Sequence, residues 1–526
     1  MNQEEIQKIC IEKNVLLEDS LIKNLSSLED PLLFGFLLDK LKSLSGKKFI
    51  TNNLFEKNEK IIKKFFGKLA LKKGVNEIEF YKFPKEFSIK NLKKIEKSIN
   101  SYEEGAVKVL ASSFSMGKKL EVKDFVYHFR NRYEDLKEIL NEKEELENLV
   151  SINKLSNEKQ KFSVIGMVYS KKITKNKNIL LEIEDLTGKL NVLISSSKED
   201  LLKESEDITL DSVIGFKGVG NSEILFANEI FFPEAYLSER KKSLSEEYAL
   251  FIGDIHYGSK NFLEKDFLNF LNFLNEETPE SRKIKYLFIV GDLVTGIGNY
   301  PNQEPDLKIK DLEGQFQKIA ELLGKIRKDI KIIISPGNHD CVRLMEPQPL
   351  LDEKYAWPLY ELENVILLGN PSMVNIGEME GFGGFNVLIY HGFSFPFYAN
   401  NIPKLIEEKT MNQPEKIMGY LLKNRHLAPT HASTQFFPSE KDGLLIKKTP
   451  DIFVSGHTHK SGAAYFNNVL ALSVSSWEGL TPYQEKFGNK PDHCKVPMFN
   501  LKTRQIKILD FETGQDGIKL SSEELK

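Results

Sequence analysis

Residues 248–258 read YALFIGDIHYG, an apolar run that ends at a glycine and is followed at once by an aspartate and a histidine. The same pattern returns in YLFIVGD (286–292) and in KIIISPG (331–337), and amphipathic stretches of helical period separate the three runs. Apolar strands that alternate with amphipathic helices predict a sheet with parallel strands and with helices on its faces. This segment therefore sets the fold of the C-terminal half of the chain.

The strands beyond residue 360 follow one another with fewer helices between them. They are ENVILLG (363–369), FNVLIYHG (385–392), DIFVSGH (451–457), NNVLALSV (467–474) and IKILDF (506–511). Consecutive strands usually lie next to each other, and without crossover helices they pair in mixed or antiparallel sheets. We therefore expect a mixed sheet or a two-sheet sandwich in a domain at residues 245–515, followed by a tail at 516–526.

Upstream of this domain, five short apolar strands surround one charged helical piece. The strands are KFSVIGMVY (161–169), NILLEIED (178–185), KLNVLI (189–194), SVIGFKGV (212–219) and EILFANEIFF (223–232), and the helical piece is SKEDLLKES (197–205). Five strands with a helix between the third and the fourth predict an OB-fold β-barrel. A helical lead-in with an apolar stripe through Phe125, Phe129 and Tyr133 comes first, so this domain is placed at residues 121–240.

The predicted barrel has a basic stretch with one aromatic side chain, since Lys171, Lys172 and Lys175 follow Tyr169. OB-folds that bind single-stranded nucleic acid combine basic and aromatic side chains on one face. The formal net charge of the chain is −3, so attraction for nucleic acid must come from a local patch or from a partner. Two interpretations stay open: these lysines contact nucleic acid, or the barrel is a platform for another protein.

The first 120 residues carry no chemical motif. Apolar positions at three- and four-residue steps, such as Leu21, Leu25 and Leu28, predict a helical docking module over residues 1–72. The polar, lysine-rich stretch 73–120 is expected to be a linker. Because the chain begins without a signal-peptide pattern, has no apolar run of membrane-spanning length and has three widely spaced cysteines, we expect a cytoplasmic protein with no membrane partner.

Polar motifs follow the apolar strands of the C-terminal domain. They contain Asp254 and His256 in GDIHYG, Asp292 in GDLVTG, Asn338, His339 and Asp340 in PGNHD, His391 in YHG, and His457 and His459 in SGHTH. Each motif alone occurs by chance, and an isolated histidine beside a glycine is more often structural. However, five of the nine histidines lie in these motifs. Because α/β sheets place their sites at the carboxyl ends of strands, the set predicts one metal site.

The residue types specify the chemistry of this site. Imidazole nitrogens together with carboxylate and amide oxygens suit manganese, iron, zinc or nickel, whereas a magnesium site would be oxygen-rich. Two ions roughly 3.5–4 Å apart can share a carboxylate and a water, and Asp292, which is alone in its motif, is the natural bridge. The shared water becomes hydroxide near neutral pH and attacks phosphorus. The sequence therefore predicts phosphoester hydrolysis by two divalent ions, with Mn²⁺ as the first expectation.

The ordered set D-x-H, GD, GNHD, H and GHTH, over about residues 247–511, resembles the calcineurin-like metallophosphoesterase superfamily. The resemblance implies two ligand sets that share one aspartate: Asp254, His256, Asp292 and His459 for one ion, and Asp292, Asn338, His391 and His457 for the other. It also implies that His339 is a catalytic histidine rather than a ligand, and that it is paired with Asp340.

A second resemblance is to the small subunits of archaeal D-family DNA polymerases. The stretches that carry it include DFVYHFRNRYEDL (124–136), SVIGMVY (163–169), GDIHYGSKNF (253–262), GNHDCVRLMEPQP (337–349) and TPDIFVSGHTH (449–459). It implies a 3′-to-5′ exonuclease that proofreads DNA 3′ ends and forms a heterodimer with a large catalytic subunit. Arg343 is then a candidate contact for a backbone phosphate, with a salt bridge to Glu346 as the alternative.

Two other functions stay open. A phosphatase or nucleotidase of the same superfamily would use the same ions on other substrates, and a polymerase scaffold subunit would keep the site without catalysis. The barrel favours the exonuclease over the phosphatase, and the complete ligand set favours it over the scaffold. We therefore expect a multidomain α+β protein with an N-terminal helical module, an OB-fold β-barrel and a calcineurin-like phosphoesterase α/β sandwich.

Overall fold

The computed structural model describes residues 3–13, 15–18, 34–35, 37–38, 41–42, 49–51, 107–112, 119–439, 441–486, 488, 490–512 and 519–523. The chain divides into two compact units. Unit 1 comprises Met1–Leu110 and Val374–Gly384, and unit 2 comprises Ala111–Met373 and Phe385–Lys526. All the predicted site residues lie in unit 2. Within the described part of the chain, no helix combines the length and the apolar character needed to cross a membrane.

Unit 1 contains helix α1 (Gln3–Glu12) and two short parallel strands, β1 (Leu16–Leu17) and β2 (Phe49–Ile50). The apolar side chains of Ile6, Phe34, Leu37, Leu38 and Leu41 are buried. The stripe positions Leu21, Leu25 and Leu28 lie outside the described residues. The helical module at 1–72 therefore stays a prediction.

Strand β3 (Lys108–Ser112) lies in the stretch 73–120 that we predicted to be a linker, so this prediction is wrong for the strand. The strand is the neighbour of the strand Ser372–Ile376, and Lys108 Nζ lies 2.7 Å from Glu378 Oε2. Backbone hydrogen bonds hold an edge strand whatever its side chains are. Its apolar run, Val109 to Ala111, is short and stands in a lysine-rich stretch, so the composition of that stretch did not reveal the strand.

A closed five-stranded barrel follows. Its elements are helix α2 (Val122–Asn141), strands β4 (Gln160–Ile173), β5 (Ile179–Glu184) and β6 (Lys189–Ile194), helix α3 (Glu199–Glu206), and strands β7 (Val213–Gly220) and β8 (Ile224–Phe231). The barrel closes in the order β4-β5-β6-β8-β7, with β6 and β8 parallel. All five predicted strands are present, with the predicted helix between the third and the fourth. Alternate side chains of these strands point inward and form one apolar core.

The C-terminal domain contains two sheets. Its strands are β9 (Tyr248–Ile252), β10 (Ile284–Val290), β11 (Lys331–Ser335), β12 (Val365–Leu367), β13 (Ser372–Ile376), β14 (Phe385–Ile389), β15 (Ile452–Ser455), β16 (Gly462–Phe466), β17 (Val469–Ser473), β18 (Lys495–Asn500), β19 (Ile506–Asp510) and β20 (Lys519–Glu523). Its helices are α4 (Glu264–Asn275), α5 (Leu312–Leu323), α6 (Glu353–Tyr360), α7 (Phe395–Asn401), α8 (Pro403–Glu407), α9 (Pro414–Asn424) and α10 (Pro482–Lys486).

The first sheet has the order β12-β11-β10-β9-β18-β19-β20. Strands β9 to β12 are parallel, as the alternation of apolar strands and amphipathic helices predicted, and β18 joins them antiparallel to β9. The stretch 516–526 was predicted to be a tail, but it contains β20, which pairs antiparallel with β19. Like β3, it is a strand at the edge of a sheet, and in β20 backbone pairing forms the strand from a mostly polar segment.

In the second sheet, strands β14, β15 and β17 run parallel and β16 is antiparallel to β17. The ring centroids of Phe385 on β14 and Phe499 on β18 lie 5.6 Å apart, so the two sheets contact each other. The prediction of a mixed sheet is confirmed, and the domain has mixed α/β content.

Helix α2 is joined to the C-terminal domain through a buried polar cluster. Arg132 Nε donates to Asp442 Oδ2 at 2.6 Å, and its Nη1 donates to the carbonyl oxygen of Pro429 at 2.8 Å. His426 Nε2 lies 2.8 Å from the same Asp442 oxygen, and the His128 ring lies against the arginine. These four side chains are almost fully shielded from solvent, so the helix preceding the barrel is fixed to the segment that follows α9.

Candidate metal centre

The carboxyl ends of five strands bring the predicted ligands together. Asp254 and His256 follow β9, Asp292 follows β10, Asn338 follows β11, His391 follows β14, and His457 and His459 follow β15. Five of these residues have a positive φ: Asp254 (48°), His256 (49°), Asp292 (49°), His457 (68°) and His459 (55°). Residues other than glycine rarely adopt this conformation, and it is concentrated at functional sites because the surrounding structure must enforce it. Strained turns therefore aim the side chains at one place.

The first group of ligand atoms comes from Asp254, His256 and His459. The Nε2 atoms of the two histidines lie 3.1 Å apart, and His459 Nε2 lies 3.4 Å from Asp254 Oδ1. All three side chains are buried. The ligand atoms of this group lie within 4.8 Å of one another, which is the spacing that a single ion needs.

The second group comes from Asp292, His391 and His457, with Asn338 beside it. His391 Nε2 lies 3.3 Å from Asp292 Oδ2 and 3.0 Å from Asn338 Oδ1. The other ring nitrogen of His391, Nδ1, lies 3.0 Å from the carbonyl oxygen of Val290. When Nδ1 carries the proton and donates it to that carbonyl, Nε2 is left bare to act as a ligand.

Asp292 lies between the two groups. Its Oδ2 is 3.3 Å from His391 Nε2 in the second group and 3.8 Å from His256 Nε2 in the first. Burial opposes a charge on Asp292, but the positive charges of His391 and His339 hold the pKa of its carboxyl well below the ordinary value. The carboxylate is therefore ionised and placed where the sequence predicted a bridge.

The donor set fits divalent metal ions. The Nε2 atoms of His256 and His459 face each other at 3.1 Å, a contact in which only one of the two rings can present a proton. The buried carboxylates of Asp254 and Asp292 form their ion pairs in the described chain with histidines rather than with lysine or arginine. Buried carboxylates need a compensating positive charge. Two divalent ions among these nitrogens and oxygens would supply it.

The electrostatics of the second group leave one nitrogen ligand without a proton. Burial disfavours a charge on His391, but the Asp292 carboxylate outweighs it and raises the pKa of His391 to about 10. Burial, followed by the His391 charge, lowers the pKa of His457 to about 3. His457 is therefore neutral at physiological pH, as a metal-ligating imidazole must be.

The pairing of His339 with Asp340 that the resemblance implied is not what the structure contains. Asp340 accepts hydrogen bonds from the backbone N–H groups of Val294 (2.9 Å) and Gly337 (2.8 Å). Burial, followed by the nearby Asp292 charge, raises the pKa of Asp340 to about 7. Asp340 therefore braces the turns that carry Asp292 and Asn338. Both of its oxygens are engaged by backbone amides, so the carboxyl is bonded to these turns and makes no hydrogen bond to the His339 ring in the described part of the chain.

His339 lies beside the first group. Its ring stands at 89° to that of His256, with the centroids 4.8 Å apart, and its backbone N–H donates to Asp292 Oδ1 at 2.7 Å. Its Nδ1 lies 3.0 Å from the carbonyl oxygen of Thr295 and 3.1 Å from Asn299 Nδ2. The imidazole is thus held at the edge of the cluster and is partly open to solvent.

Sequence reasoning missed three residues that touch the centre. Asn299 contacts His339, and Gln484 Nε2 lies 2.9 Å from His459 Nδ1. Burial raises the pKa of the largely buried Glu478, which lies close enough to His459 for the histidine charge to act on its carboxyl against the effect of burial. Asn299 and Glu478 lie outside helices and Gln484 lies on the short helix α10; none of them belongs to a strand-end motif, and only the fold brings them to the site.

The predicted nucleic-acid contacts are separate from the centre. Lys171 Nζ donates to the carbonyl oxygens of Ser205, Glu206 and Ile208 at 2.8–2.9 Å, at the end of helix α3. Its ammonium is therefore satisfied within the barrel, and contact of this lysine with nucleic acid stays a prediction. Lys172 and Lys175 are exposed.

Arg343 is turned toward its own domain. Its Nη2 donates to the carbonyl oxygen of Pro347 at 2.6 Å, and its guanidinium lies over the Phe437 ring at 3.6 Å. Glu346, the alternative partner, instead accepts from the Tyr390 hydroxyl at 2.9 Å. Because its N–H groups bond to the Pro347 carbonyl and its guanidinium lies over the Phe437 ring, this arginine packs as part of the fold.

Comparisons with known proteins agree with the site. A family model for calcineurin-like phosphoesterases matches residues 249–461. The DNA polymerase II small subunit of Pyrococcus furiosus is 37% identical over 396 residues, which cover 73% of this chain and 63% of that protein. The DNA polymerase II small subunit of Methanothermobacter thermautotrophicus is 35% identical over 399 residues, which cover 74% of this chain and 80% of that protein. The aligned region thus spans less than two thirds of the Pyrococcus protein.

Among solved structures, Vacuolar Protein Sorting 29 from Cryptosporidium parvum aligns with 53% of this chain and 98% of its own, at 18% identity and a TM-score of 0.27.

Proposed function

The chain belongs to the family of archaeal DNA polymerase II small subunits and contains a calcineurin-like phosphoesterase domain, and from this premise we propose that it removes nucleotides from DNA 3′ ends as the exonuclease subunit of a replicative polymerase. The observation that carries the proposal is the convergence of the seven ligand residues around Asp292, with their donor atoms facing inward. A scaffold subunit would have no need to hold these residues in strained turns. The large catalytic subunit is the proposed partner.

In the proposed assignment, one ion takes Asp254, His256, Asp292 and His459, and the other takes Asp292, Asn338, His391 and His457. Two divalent ions bound here would lower the pKa of a water held between them and neutralise charge on the phosphoryl oxygens. Mn²⁺ is the proposed metal, because nitrogen and oxygen ligands are mixed; iron, zinc and nickel suit the same set.

Two residues next to the proposed ligands, His339 and Asp340, have separate proposed roles in the reaction. Hydrolysis of the terminal phosphodiester breaks the bond between phosphorus and the 3′ oxygen of the penultimate nucleotide, and that oxygen must gain a proton. His339 lies beside the ligand cluster without belonging to either of the two proposed ligand sets, so its Nε2 is the proposed proton donor. Asp340 fixes the turns on both sides of Asp292 through Val294 and Gly337, so we assign it a positioning role.

We also propose that the barrel is an OB-fold within a domain at residues 121–240 and that the phosphoesterase domain spans residues 245–515. The order of the five strands and the position of helix α3 support the first assignment. Because Lys171 is engaged inside the barrel, Lys172 and Lys175 are the stronger candidates for contact with DNA. The mixture of Lys189, Glu182 and Glu184 on neighbouring strands favours a protein platform over a basic DNA-binding face.

The test is hydrolysis of a primer–template labelled at the primer 5′ end, with a matched or mismatched 3′ terminus, by the chain together with its large subunit in Mn²⁺. We expect a ladder of shortened labelled primers and release of 5′-mononucleotides, faster from the mismatch, and at least about a hundredfold slower with His339→Ala. Hydrolysis of p-nitrophenyl phosphate without shortening of the primer would support the phosphatase alternative instead. No hydrolysis of either substrate by metal-loaded protein would favour the scaffold.

A further inference from the structure

The loop from Thr295 to Gln303 contacts His339, although its residues beyond Gly296 belong to none of the strand-end motifs. The Asn299 side chain, which reaches the His339 ring, donates from Nδ2 to the carbonyl oxygen of Thr295 at 2.8 Å. The Thr295 oxygen and Asn299 Nδ2 lie 3.0 Å and 3.1 Å from His339 Nδ1, on which they converge. We propose that Asn299 is a positioning residue for the reaction: together with the Thr295 carbonyl it holds the His339 ring at Nδ1. The resemblance to the superfamily assigned the pairing with His339 to Asp340. This inference rests on the role of His339 proposed above.

The two contacts suit both protonation states of Nδ1. A carbonyl oxygen can only accept, so the Thr295 oxygen pairs with Nδ1 when that nitrogen carries a proton. An amide N–H can only donate, so Asn299 Nδ2 pairs with Nδ1 when that nitrogen is bare. When Nδ1 is protonated, the same amide instead holds the Thr295 carbonyl against the ring through their 2.8 Å bond. In either state the ring is fixed from one side, which leaves Nε2 for the reacting group. When Nε2 gives its proton to the departing 3′ oxygen, the proton on Nδ1 remains with Thr295.

The loop is built to hold this position. Gly296 has a φ of +69°, and a Cβ there would collide with the carbonyl oxygen of His339, so glycine lets the two backbones meet. Two buried amides support the loop from below: Gln303 Oε1 accepts from Asn299 N–H at 2.9 Å, and Gln315 Oε1 accepts from Gly296 N–H at 3.0 Å. A loop held by these two bonds and by the close backbone contact at Gly296 can orient a side chain on its exposed edge.

The geometry separates Asn299 from a residue that merely shapes the loop. Gln303 Nε2 donates to the carbonyl oxygens of Thr295 and Gly296 at 3.1 Å and 3.5 Å, but within the described chain Gln303 makes no hydrogen bond to His339. Gln303→Ala is therefore a matched control that loosens the loop without removing a contact to the histidine. Metal content per chain, measured for every variant, checks that the centre is intact.

The experiment measures kcat and KM on two substrates, with the chain assembled with its large subunit in Mn²⁺. One substrate is single-stranded DNA, whose leaving 3′ alkoxide needs a proton; the other is thymidine 5′-p-nitrophenyl phosphate, whose phenolate departs without one. We expect Asn299→Ala to lower kcat on DNA about tenfold, as the loss of one orienting hydrogen bond would, with KM unchanged. On the nitrophenyl ester, the loss should be less than twofold.

A second arm combines variants. If Asn299 acts through His339, then Asn299→Ala adds no further loss to the residual activity of His339→Ala, because residues that act as a unit are not additive. The inference is overturned if Asn299→Ala lowers kcat equally on both substrates. It is also overturned if Asn299→Ala lowers kcat further in the His339→Ala background, as Gln303→Ala would, because Asn299 would then only shape the loop. If His339→Ala itself leaves kcat on DNA unchanged, the proposed proton donor fails, which is a separate result.

Discussion

The buried Arg132–Asp442 pair predicts a large and localised effect of a single substitution. Arg132→Ala removes the 2.6 Å bond to Asp442 and the 2.8 Å bond to the Pro429 carbonyl. It also removes the guanidinium, 4.7 Å from the Phe436 ring centroid. The Asp442 side chain, which is fully buried, then keeps its negative charge without its cation.

Breaking such a pair on one side costs about 3–5 kcal/mol, because a buried charge is left uncompensated. Since 1.4 kcal/mol is roughly a factor of ten, opening of helix α2 should become at least about 100-fold more frequent. Hydrogen–deuterium exchange followed by mass spectrometry measures this directly for the peptides of Val122–Asn141.

The control is Lys447→Ala, which removes a 2.8 Å ion pair between Lys447 and Asp135 on the same helix. The lysine is 64% exposed, so the pair is worth about 1 kcal/mol or less, and exchange should accelerate less than about tenfold. If Arg132→Ala accelerates exchange in α2 no more than Lys447→Ala does, the helix is not held by the buried cluster and the reasoning fails.

Three further predictions address the site, the barrel and the pH dependence. His339→Ala should lower kcat on DNA by about 10²–10⁴ with metal content unchanged by elemental analysis, whereas Asp292→Ala should lose bound metal as well; full metal in Asp292→Ala would refute its bridging position. Lys171→Met should destabilise the barrel by about 2 kcal/mol, because three carbonyl oxygens lose their partner. The salt dependence of DNA affinity should stay unchanged. A shallower salt dependence with unchanged thermal stability would instead show that Lys171 contacts a DNA phosphate. Burial, followed by the Arg132 charge, lowers the pKa of His426 from 6.5 to about 4, so between these pH values the unfolded chain binds a proton that the folded chain does not. The free energy of unfolding should therefore fall by roughly 3 kcal/mol as the pH drops from 6.5 to 4. Denaturant unfolding of His426→Gln should lack this part of the pH dependence.

The strands, and the residues that cluster at their carboxyl ends, were predictable from the sequence because each leaves a local signal. An apolar run followed by Gly-Asp predicts both a strand and the polar residue at its end. The apolar patterns of the five barrel strands predicted their positions to within a few residues. The two edge strands, Lys108–Ser112 and Lys519–Glu523, were missed because their stability comes from backbone pairing with a neighbour. Nothing in a polar segment encodes such a neighbour.

Side-chain partners were harder to predict than positions. Lys171 is one of several lysines in the sequence, and only the fold shows that it closes the end of helix α3. Asp340 stands beside His339 in the chain, yet the turn directs its carboxyl to Val294 and Gly337. Asn299 and the Arg132–Asp442 pair depend on contacts across 40 and 310 residues, and no periodicity carries information over such separations.

The proposed hydrolytic function depends on two divalent ions that bind side by side with Asp292 between them. Anomalous diffraction at the manganese absorption edge, from crystals of the protein grown in Mn²⁺, tests it most directly. We expect two peaks about 3.5–4 Å apart, one beside Asp254, His256 and His459, the other beside Asn338, His391 and His457, with the Asp292 carboxylate touching both. No peak, or a single peak in Mn²⁺-saturated crystals, would contradict the binuclear centre and the hydrolytic function built on it.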